Sequence, residues 1–298
     1  MSVHPMPGED HAAVPRIAVI IPCFNDGALL PETLASIDEP EPIDVVVVDD
    51  DSTDAATLQL YPQLQARGYR VLRHTTNLGQ GAARNTGLTA TTAPYVFNLD
   101  ADDLLRPGVL TAMAARLDAD PDAGVCYGDY EEFGLREGRR RTAPTLDPFR
   151  AAYVNKWPGL AMFRREALVA VGGWPTARGH EDWHLWMTLA QHGCKGIHTG
   201  GVVFRYRVGT NRSFSRSNQN HVAVYRRLKQ EHPRLFSNLR AHRRSSSLPW
   251  AWKVAYPVLY VGGRPRLARA RQVVRKLVGT WSPGLRDTSS PRRSRSRS

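Results

Sequence analysis

Apolar and polar positions alternate in blocks along the first hundred residues. Residues 16–22 (R-I-A-V-I-I-P) and 44–48 (D-V-V-V-V) are near-continuous runs rich in Ile and Val. Such runs read as strands buried on both faces, as in a parallel sheet. Between them Leu29, Leu30, Leu34 and Ile37 recur near the helical period. The pattern continues with a helix near 54–66, a strand near 69–73, a helix near 80–91 and a strand near 95–99. This alternation predicts an α/β fold, a doubly wound and mostly parallel sheet flanked by helices, with ligands bound outside the carboxyl ends of the strands.

After Pro107 the order loosens. The pattern predicts a helix near 108–118, a strand near 124–128, a basic loop from Arg139 to Arg141 and a Trp-Pro-Gly turn at 157–159. A helix near 181–192, a strand at 202–207 and a helix near 218–231 follow. We expect a disordered N-terminus over 1–14, one catalytic domain over 15–240, an aromatic and basic helical extension over 241–280, and a disordered basic tail over 281–298. The last segment, S-S-P-R-R-S-R-S-R-S, is of low complexity.

The net charge of +12 is unevenly spread. From Ala241 onward 14 Lys and Arg face one acid, Asp287, so this stretch carries +13 and the rest of the chain −1. A neutral body with a basic tail argues against nucleic acid as the partner. Hydrophobic residues make up 42% of the chain, enough for one sizeable core. Cys23, Cys126 and Cys194 have neither metal-ligand spacing nor an even number, and fit free thiols in a reducing compartment. The N-terminus does not read as a signal peptide, and no apolar run reaches the roughly 18 residues of a bilayer span.

Three predicted strands deliver polar residues at their carboxyl ends. They close in I-I-P-C-F-N, V-V-V-V-D-D-D-S-T-D and F-N-L-D-A-D-D. Asp49, Asp50, Asp51, Asp54, Asp100, Asp102 and Asp103 therefore gather at one edge. Clustered carboxylates repel one another, and a divalent cation relieves them. Oxygen ligands without His or Cys suit Mg2+ or Mn2+. In D-A-D, extended backbone puts Asp100 and Asp102 on one side, where a cation could also meet a diphosphate. The plainer reading of Ser52, Asp54 and Asp103 is helix capping.

The segment N-L-G-Q-G-A-A-R-N-T-G (77–87) follows a strand and opens a helix, so its glycines let backbone N–H groups approach phosphate. Gly79 and Gly81 imitate a dinucleotide fingerprint, but the third glycine is out of place. Arg84 reads either as an exposed helix residue or as a cation orienting the acids. H-E-D-W-H (180–184) matches the zinc-protease pattern H-E-x-x-H literally. That reading gives the upstream aspartates no role. The other takes Glu181 and Asp182 as carboxylates at a helix N-terminus, kept ionised by the macrodipole and able to act as bases.

Together, I-I-P-C-F-N, V-D-D-D-S-T-D, N-L-G-Q-G-A-A-R-N-T-G, D-A-D and H-E-D-W resemble the family-2 glycosyltransferases of GT-A fold, in order and spacing, over roughly residues 15–215. The resemblance implies that Pro22, Phe24, Asn25 and Asp50 hold the nucleotide base, with Arg84 helping. It implies Asp100 and Ala101 at the donor, Asp100 touching ribose or metal, and Asp102 ligating the metal. Asp182 would be the general base, with Glu181 beside it. Y-R-V-G-T-N-R-S-F-S (206–215) is similar to the family's late loop near the diphosphate, with Arg207 as its candidate residue. Asp51 stands where the family usually has Gly, and Phe24 replaces a common Tyr.

The expected function is an inverting, metal-assisted hexosyltransferase reaction from a nucleotide sugar to a glycan or lipid-linked acceptor. The expected donors are UDP-sugars first, then GDP or dTDP sugars, and the metal is Mn2+ or Mg2+. The alternatives are a non-catalytic nucleotide-sugar-binding protein and a metal-dependent nucleotidyltransferase. Trp250, Trp252, Tyr256 and Tyr260, followed by Leu267, Ala270, Val274, Leu277 and Val278 among arginines, suit an interfacial helix on an anionic membrane. The rival reading packs the aromatic cluster on the body. Either way the expected place is the cytoplasm, with the membrane reading adding its inner face.

Overall fold

The computed structural model describes residues 14–177, 179–209, 221–261 and 264–265. The expected N-terminal disorder, residues 210–215 of the late loop, and the tail beyond Pro265 lie outside the described residues.

The chain opens as strand β1 (Ile17–Cys23), helix α1 (Leu30–Ala35), β2 (Ile43–Asp49), α2 (Ala55–Ala66), β3 (Arg70–Arg73), α3 (Gln80–Ala90) and β4 (Tyr95–Asn98). β1 lies between β2 and β4 and runs parallel to both; β3 adds to β2, also parallel. Alternate side chains serve opposite faces. Ile20, Val46, Val48 and Val96 enter one apolar cluster with Ala83 and Leu88 of α3. Ile17, Val19, Ile21, Val47 and Phe97 enter another with Leu30, Leu34, Tyr61 and Leu64 of α1 and α2. All seven β1 residues are buried, which is why its sequence is an unbroken apolar run.

Beyond β4 come β5 (Leu104–Leu105), α4 (Val109–Ala119), β6 (Ala123–Gly134), β7 (Gly138–Arg140), α5 (Pro148–Ala151), β8 (Met162–Arg164), α6 (Arg165–Ala170), α7 (Glu181–Gln191) and β9 (Lys195–Val208). The sheet order is β3-β2-β1-β4-β8-β6-β9-β5, with β7 on β6. β8 lies antiparallel between β4 and β6, so the sheet is mixed. β6 and β9 run well beyond the expected 124–128 and 202–207, paired in parallel. Their distal halves carry charged residues, Glu131 and Glu132 on β6 and Arg205 and Arg207 on β9, which hides them from an apolar pattern. The basic stretch Arg139–Arg141 is not a simple loop: β7 pairs antiparallel with β6, Arg139 meeting Asp129 at 2.9 Å and Arg140 meeting Glu132 at 2.8 Å.

Four helices close the described body: α8 (His221–Glu231), α9 (Pro233–Ser237), α10 (Leu239–Ser245) and α11 (Trp250–Leu259). The expected boundary at 240 falls inside α10. Leu248 and Tyr256 pack with Phe149 of α5 and with Tyr153, so the aromatic cluster rests on the body. No helix among the described residues is long and apolar enough to cross a membrane.

His184 of α7 packs against His232, ring centroids 4.9 Å apart. Burial, then the neighbouring His232 and Arg227, lowers its pKa from 6.5 to about 4. The unfolded chain therefore binds a proton there between pH 6.5 and 4 while the folded chain does not. This contribution is whole above pH 6.5 and is lost as pH falls toward 4, up to about 3 kcal/mol. Urea midpoints at pH 7 and pH 4 check it: His184→Gln should show a smaller loss than the parent chain, and equal losses would refute it.

Candidate active site

Parallel register brings three strand ends side by side. Cys23 pairs with Asp49, and Ile20 with Asn98. The segments leaving β1, β2 and β4 therefore share one edge, where Pro22, Phe24, Asn25, Asp50, Asp100, Ala101 and Asp102 stand. Pro22 is buried beyond the last β1–β4 pair, where its missing N–H interrupts no ladder bond to β4. Phe24 is 45% exposed, an open aromatic face at the strand end.

Asp50 is buried, and its carboxylate is a hub. Oδ1 accepts from the Leu78 N–H at 2.9 Å and meets His74 Nδ1 at 2.8 Å; Oδ2 accepts from the Gly79 N–H at 2.7 Å. Thr86 Oγ1 lies 2.9 Å from the other nitrogen of His74. Asp50 thus fixes the glycine loop, whose Gly79 has φ +92°. Asn25, at φ +60°, accepts from the Thr53 and Asp54 N–H groups through Oδ1, latching the β1 loop to the β2 loop. Asp51 has φ +65°, which is the physical reason glycine suits that position.

Of the capping readings, Asp54 alone holds: it accepts from the Thr57 N–H at 2.8 Å and starts α2. Ser52 Oγ instead accepts from the Asn25 N–H. Buried Asp103 accepts from the Arg207 N–H at 2.8 Å. Arg207 also donates to the Asp102 carbonyl at 2.9 Å and pairs with Glu32. It ties the end of β9 to the D-A-D-D loop. Ala101 is buried, and its carbonyl accepts from Thr33 Oγ1 of α1.

Arg84 is not an exposed helix residue. It is 4% exposed and donates to Asp100 Oδ1 at 2.6 Å, where Gln80 also donates. Asp102 sits among acids, with Arg207 opposing their effect. Burial, then Asp100 and Asp26, raises its pKa from 3.8 to about 6. Burial, then Asp100 and Asp102, pushes Asp103 well above the carboxylate range, and burial with Asp100 raises Asp26. Asp26 is an acid of this cluster that the motifs do not reveal.

Asp182 opens α7. Its Oδ1 accepts from the Trp183 N–H and its Oδ2 from Asn155 Nδ2, both at 2.8 Å. Burial raises its pKa; Glu181 adds to the rise and Arg84 opposes it. Glu181 turns back to accept from the Gly179 N–H at 2.7 Å. The segment before α7 is clamped to α3: Asn85 brackets Trp174, accepting from its N–H and donating to its carbonyl, both at 2.8 Å. A Cβ at Gly81 would stand 2.0 Å from the Pro175 carbonyl oxygen, so only glycine permits that approach.

The zinc pattern dissolves in three dimensions. His180, at φ +55°, lies outside the regular helix and meets His221 at 2.8 Å, while His184 turns to His232. Among the described residues no three His, Cys, Asp or Glu side chains are grouped to hold a metal by themselves.

The Glycosyl transferase family 2 model matches residues 18–179, more than half of the chain. The chain belongs to glycosyltransferase family 2. The match holds every strand-end acid of the family-2 domain and stops three residues before Asp182. An uncharacterized protein of Mycobacterium tuberculosis is 31% identical over 187 residues, covering 55% of this chain and 58% of that one. The validoxylamine A glucosyltransferase of Streptomyces hygroscopicus subsp. limoneus is 35% identical over 144 residues, 42% of this chain and 30% of that one. The family-2 domain thus spans about three fifths of the first relative's length and under a third of the second's.

Among solved structures, the mannosyltransferase PcManGT of Pyrobaculum calidifontis, in complex with GDP-Man and Mn2+, matches with TM-score 0.56 and 23% identity. The match covers 90% of this chain and 88% of that one. S. aureus TarS 1–349 with UDP-GlcNAc matches with TM-score 0.56 and 19% identity, over 80% and 69%. At these identities the likeness speaks for the fold, which is of the GT-A type.

Proposed function

We propose that this chain moves a sugar from a nucleoside-diphosphate sugar to an acceptor hydroxyl, with inversion at the anomeric carbon. One observation carries the reading. The strand-end acids and the helix-borne Asp182 belong to one electrostatic unit, joined by buried Arg84, which pairs with Asp100 and acts on Asp182. UDP is the first candidate nucleotide, then GDP or dTDP; solved neighbours hold UDP-GlcNAc, UDP and GDP-Man.

Phe24 would stack on the base, with Pro22 and Asn25 shaping its seat. Asp50 keeps acceptor capacity on Oδ2 for an imide N–H. The donor set fits a hard divalent cation: mutually repelling carboxylates, oxygen only, with Asp102 and Asp100 as ligands. Oxygen ligands from two carboxylates, with substrate phosphates completing the shell, suit Mn2+ or Mg2+. Bound there, the ion would neutralise charge growing on the leaving diphosphate. Asp182 would take the proton of the acceptor hydroxyl as its oxygen attacks the anomeric carbon. Asn155 and the Trp183 N–H hold both carboxylate oxygens in place for this, and Glu181 shapes the turn beside them.

The reading places the enzyme in the cytoplasm, peripheral at the inner membrane face, acting on a glycan or lipid-linked acceptor. Calorimetry with UDP, GDP and dTDP tests it. One of them should bind in the presence of Mn2+ or Mg2+ and weaken on chelation. Binding of none would end the donor-site reading, and release of pyrophosphate during turnover would replace it with nucleotidyl transfer.

A further inference from the structure

Helix α11 has two unlike faces. Tyr256 and Leu259 are buried at 5% and 7% exposure; Tyr256 packs with Phe149 of α5 and stacks on Tyr153, centroids 6.3 Å apart. On the other side Trp250, Val254 and Val258 are 78%, 46% and 64% exposed. Their spacing of four residues lines them along one edge of the helix. Scattered exposed apolar residues are ordinary, but a contiguous line is not. Nine large hydrophobics are exposed among the described residues, and three of them form this line.

The helix that precedes α11 is basic. α10 buries no residue, and Arg240, Arg243 and Arg244 on it are exposed. Lys253 reaches back to the Arg244 carbonyl, which places α10 beside α11. Between Glu231 and Asp287 the sequence contains 12 Lys and Arg and no acid.

We infer that the outer face of α11, Trp250–Val254–Val258, edged by the arginines of α10, is a docking surface for an anionic lipid bilayer. A protein partner would need an apolar face ringed by acids. An anionic bilayer offers hydrocarbon beneath a negative surface everywhere, and a tryptophan at a polar–apolar boundary suits its interface. The inner face fixes the helix to the body, so the surface is rigidly placed relative to the strand-end crevice, and binding there would orient that crevice to acceptors held in the membrane. The inference deepens the membrane placement proposed above and does not depend on the transfer chemistry.

The test is cosedimentation of the full chain with vesicles of phosphatidylcholine alone and with vesicles enriched in phosphatidylglycerol. We expect at least tenfold preference for the anionic vesicles. The combined variant Trp250→Glu, Val254→Glu, Val258→Glu alters only exposed positions. It should keep the parent melting temperature and nucleotide binding yet lose at least tenfold in vesicle affinity. A chain ending at Pro265 should keep binding that survives about 1 M salt, where the Debye length falls to about 3 Å and charge attraction is screened. The inference is overturned if the combined variant sediments like the parent. It is equally overturned if the shortened chain binds vesicles better than the full one, making the tail the occupant of this face, or if the full chain ignores vesicles and retains DNA at physiological salt. If vesicles bind as expected while no nucleotide binds, the donor-site reading fails and the docking surface stands.

Discussion

Asp182→Asn is expected to lower the transfer rate by about 10²–10⁴-fold, the usual contribution of a positioned base, while nucleotide affinity stays within about twofold. The substitution is nearly isosteric. The oxygen that remains can still accept from the Trp183 N–H, so the start of α7 should hold. What disappears is the capacity to take a proton. Burial has already raised the Asp182 pKa, closer to neutral pH than an ordinary carboxylate. The acid limb of the rate profile should therefore lie above the range of an exposed aspartate, with activity lost as pH falls through it. Asn155 donates to the ionised form of Asp182. Asn155→Ala removes that donor, favours the protonated acid and should shift the acid limb further up. A merely structural Asn155 would leave the limb where it was. Equal loss of nucleotide affinity and rate in Asp182→Asn would contradict the assignment of this carboxylate to the acceptor side.

Much of the fold is legible in the sequence because β1, β4 and the second half of β2 are buried on both faces, leaving no polar alternation to confuse them. β5, β7 and β8 are two or three residues long; β5 and β8 hold their place by pairing with strands distant in sequence, and β7 by a short hairpin on β6. No local pattern announces that. β6 and β9 read as short because Glu131, Glu132, Arg205 and Arg207 look like loop residues, though all four lie in the ladder, Glu131 opposite Arg205. In the site, the acids at three strand ends are visible because a parallel sheet brings those ends together. Asp26 is hidden in an N-D-G that reads as a turn, and Asn155 in a segment without motif. His74 follows β3 with nothing to mark that it meets Asp50 and Thr86. α11 satisfies the packing reading with one face and leaves the other open.

Asp102→Asn is expected to do two things at once: raise the melting temperature of the metal-free protein and remove the metal dependence of nucleotide binding. The sign follows from its surroundings. Asp102 is partly buried beside Asp100 and Asp26, and its pKa of about 6 lies above the unfolded value. The folded state therefore holds the proton more tightly than the unfolded chain. Below about pH 4 the group favours folding in this sense, and above about pH 6 its ionised form costs the metal-free protein roughly 1–3 kcal/mol. A neutral amide relieves that cost, so near pH 7.5 the variant should melt a few degrees higher. Mn2+ together with the preferred nucleotide should stabilise the parent chain and barely move the variant, with at least a tenfold loss of affinity for the pair. Asp100 provides the contrast. It is matched by Arg84 and Gln80, and removing it as Asp100→Ala would leave a guanidinium of 4% exposure without its carboxylate. The cost of such a loss is about 3–5 kcal/mol, so Asp100→Ala should melt lower. Two adjacent acids of one D-A-D would then move stability in opposite directions, as a structural pair of acids would not. Calorimetric melting of both variants, with and without Mn2+ and nucleotide, decides the matter. A lower melting temperature for Asp102→Asn, or an undiminished response to Mn2+, would remove Asp102 from the metal site.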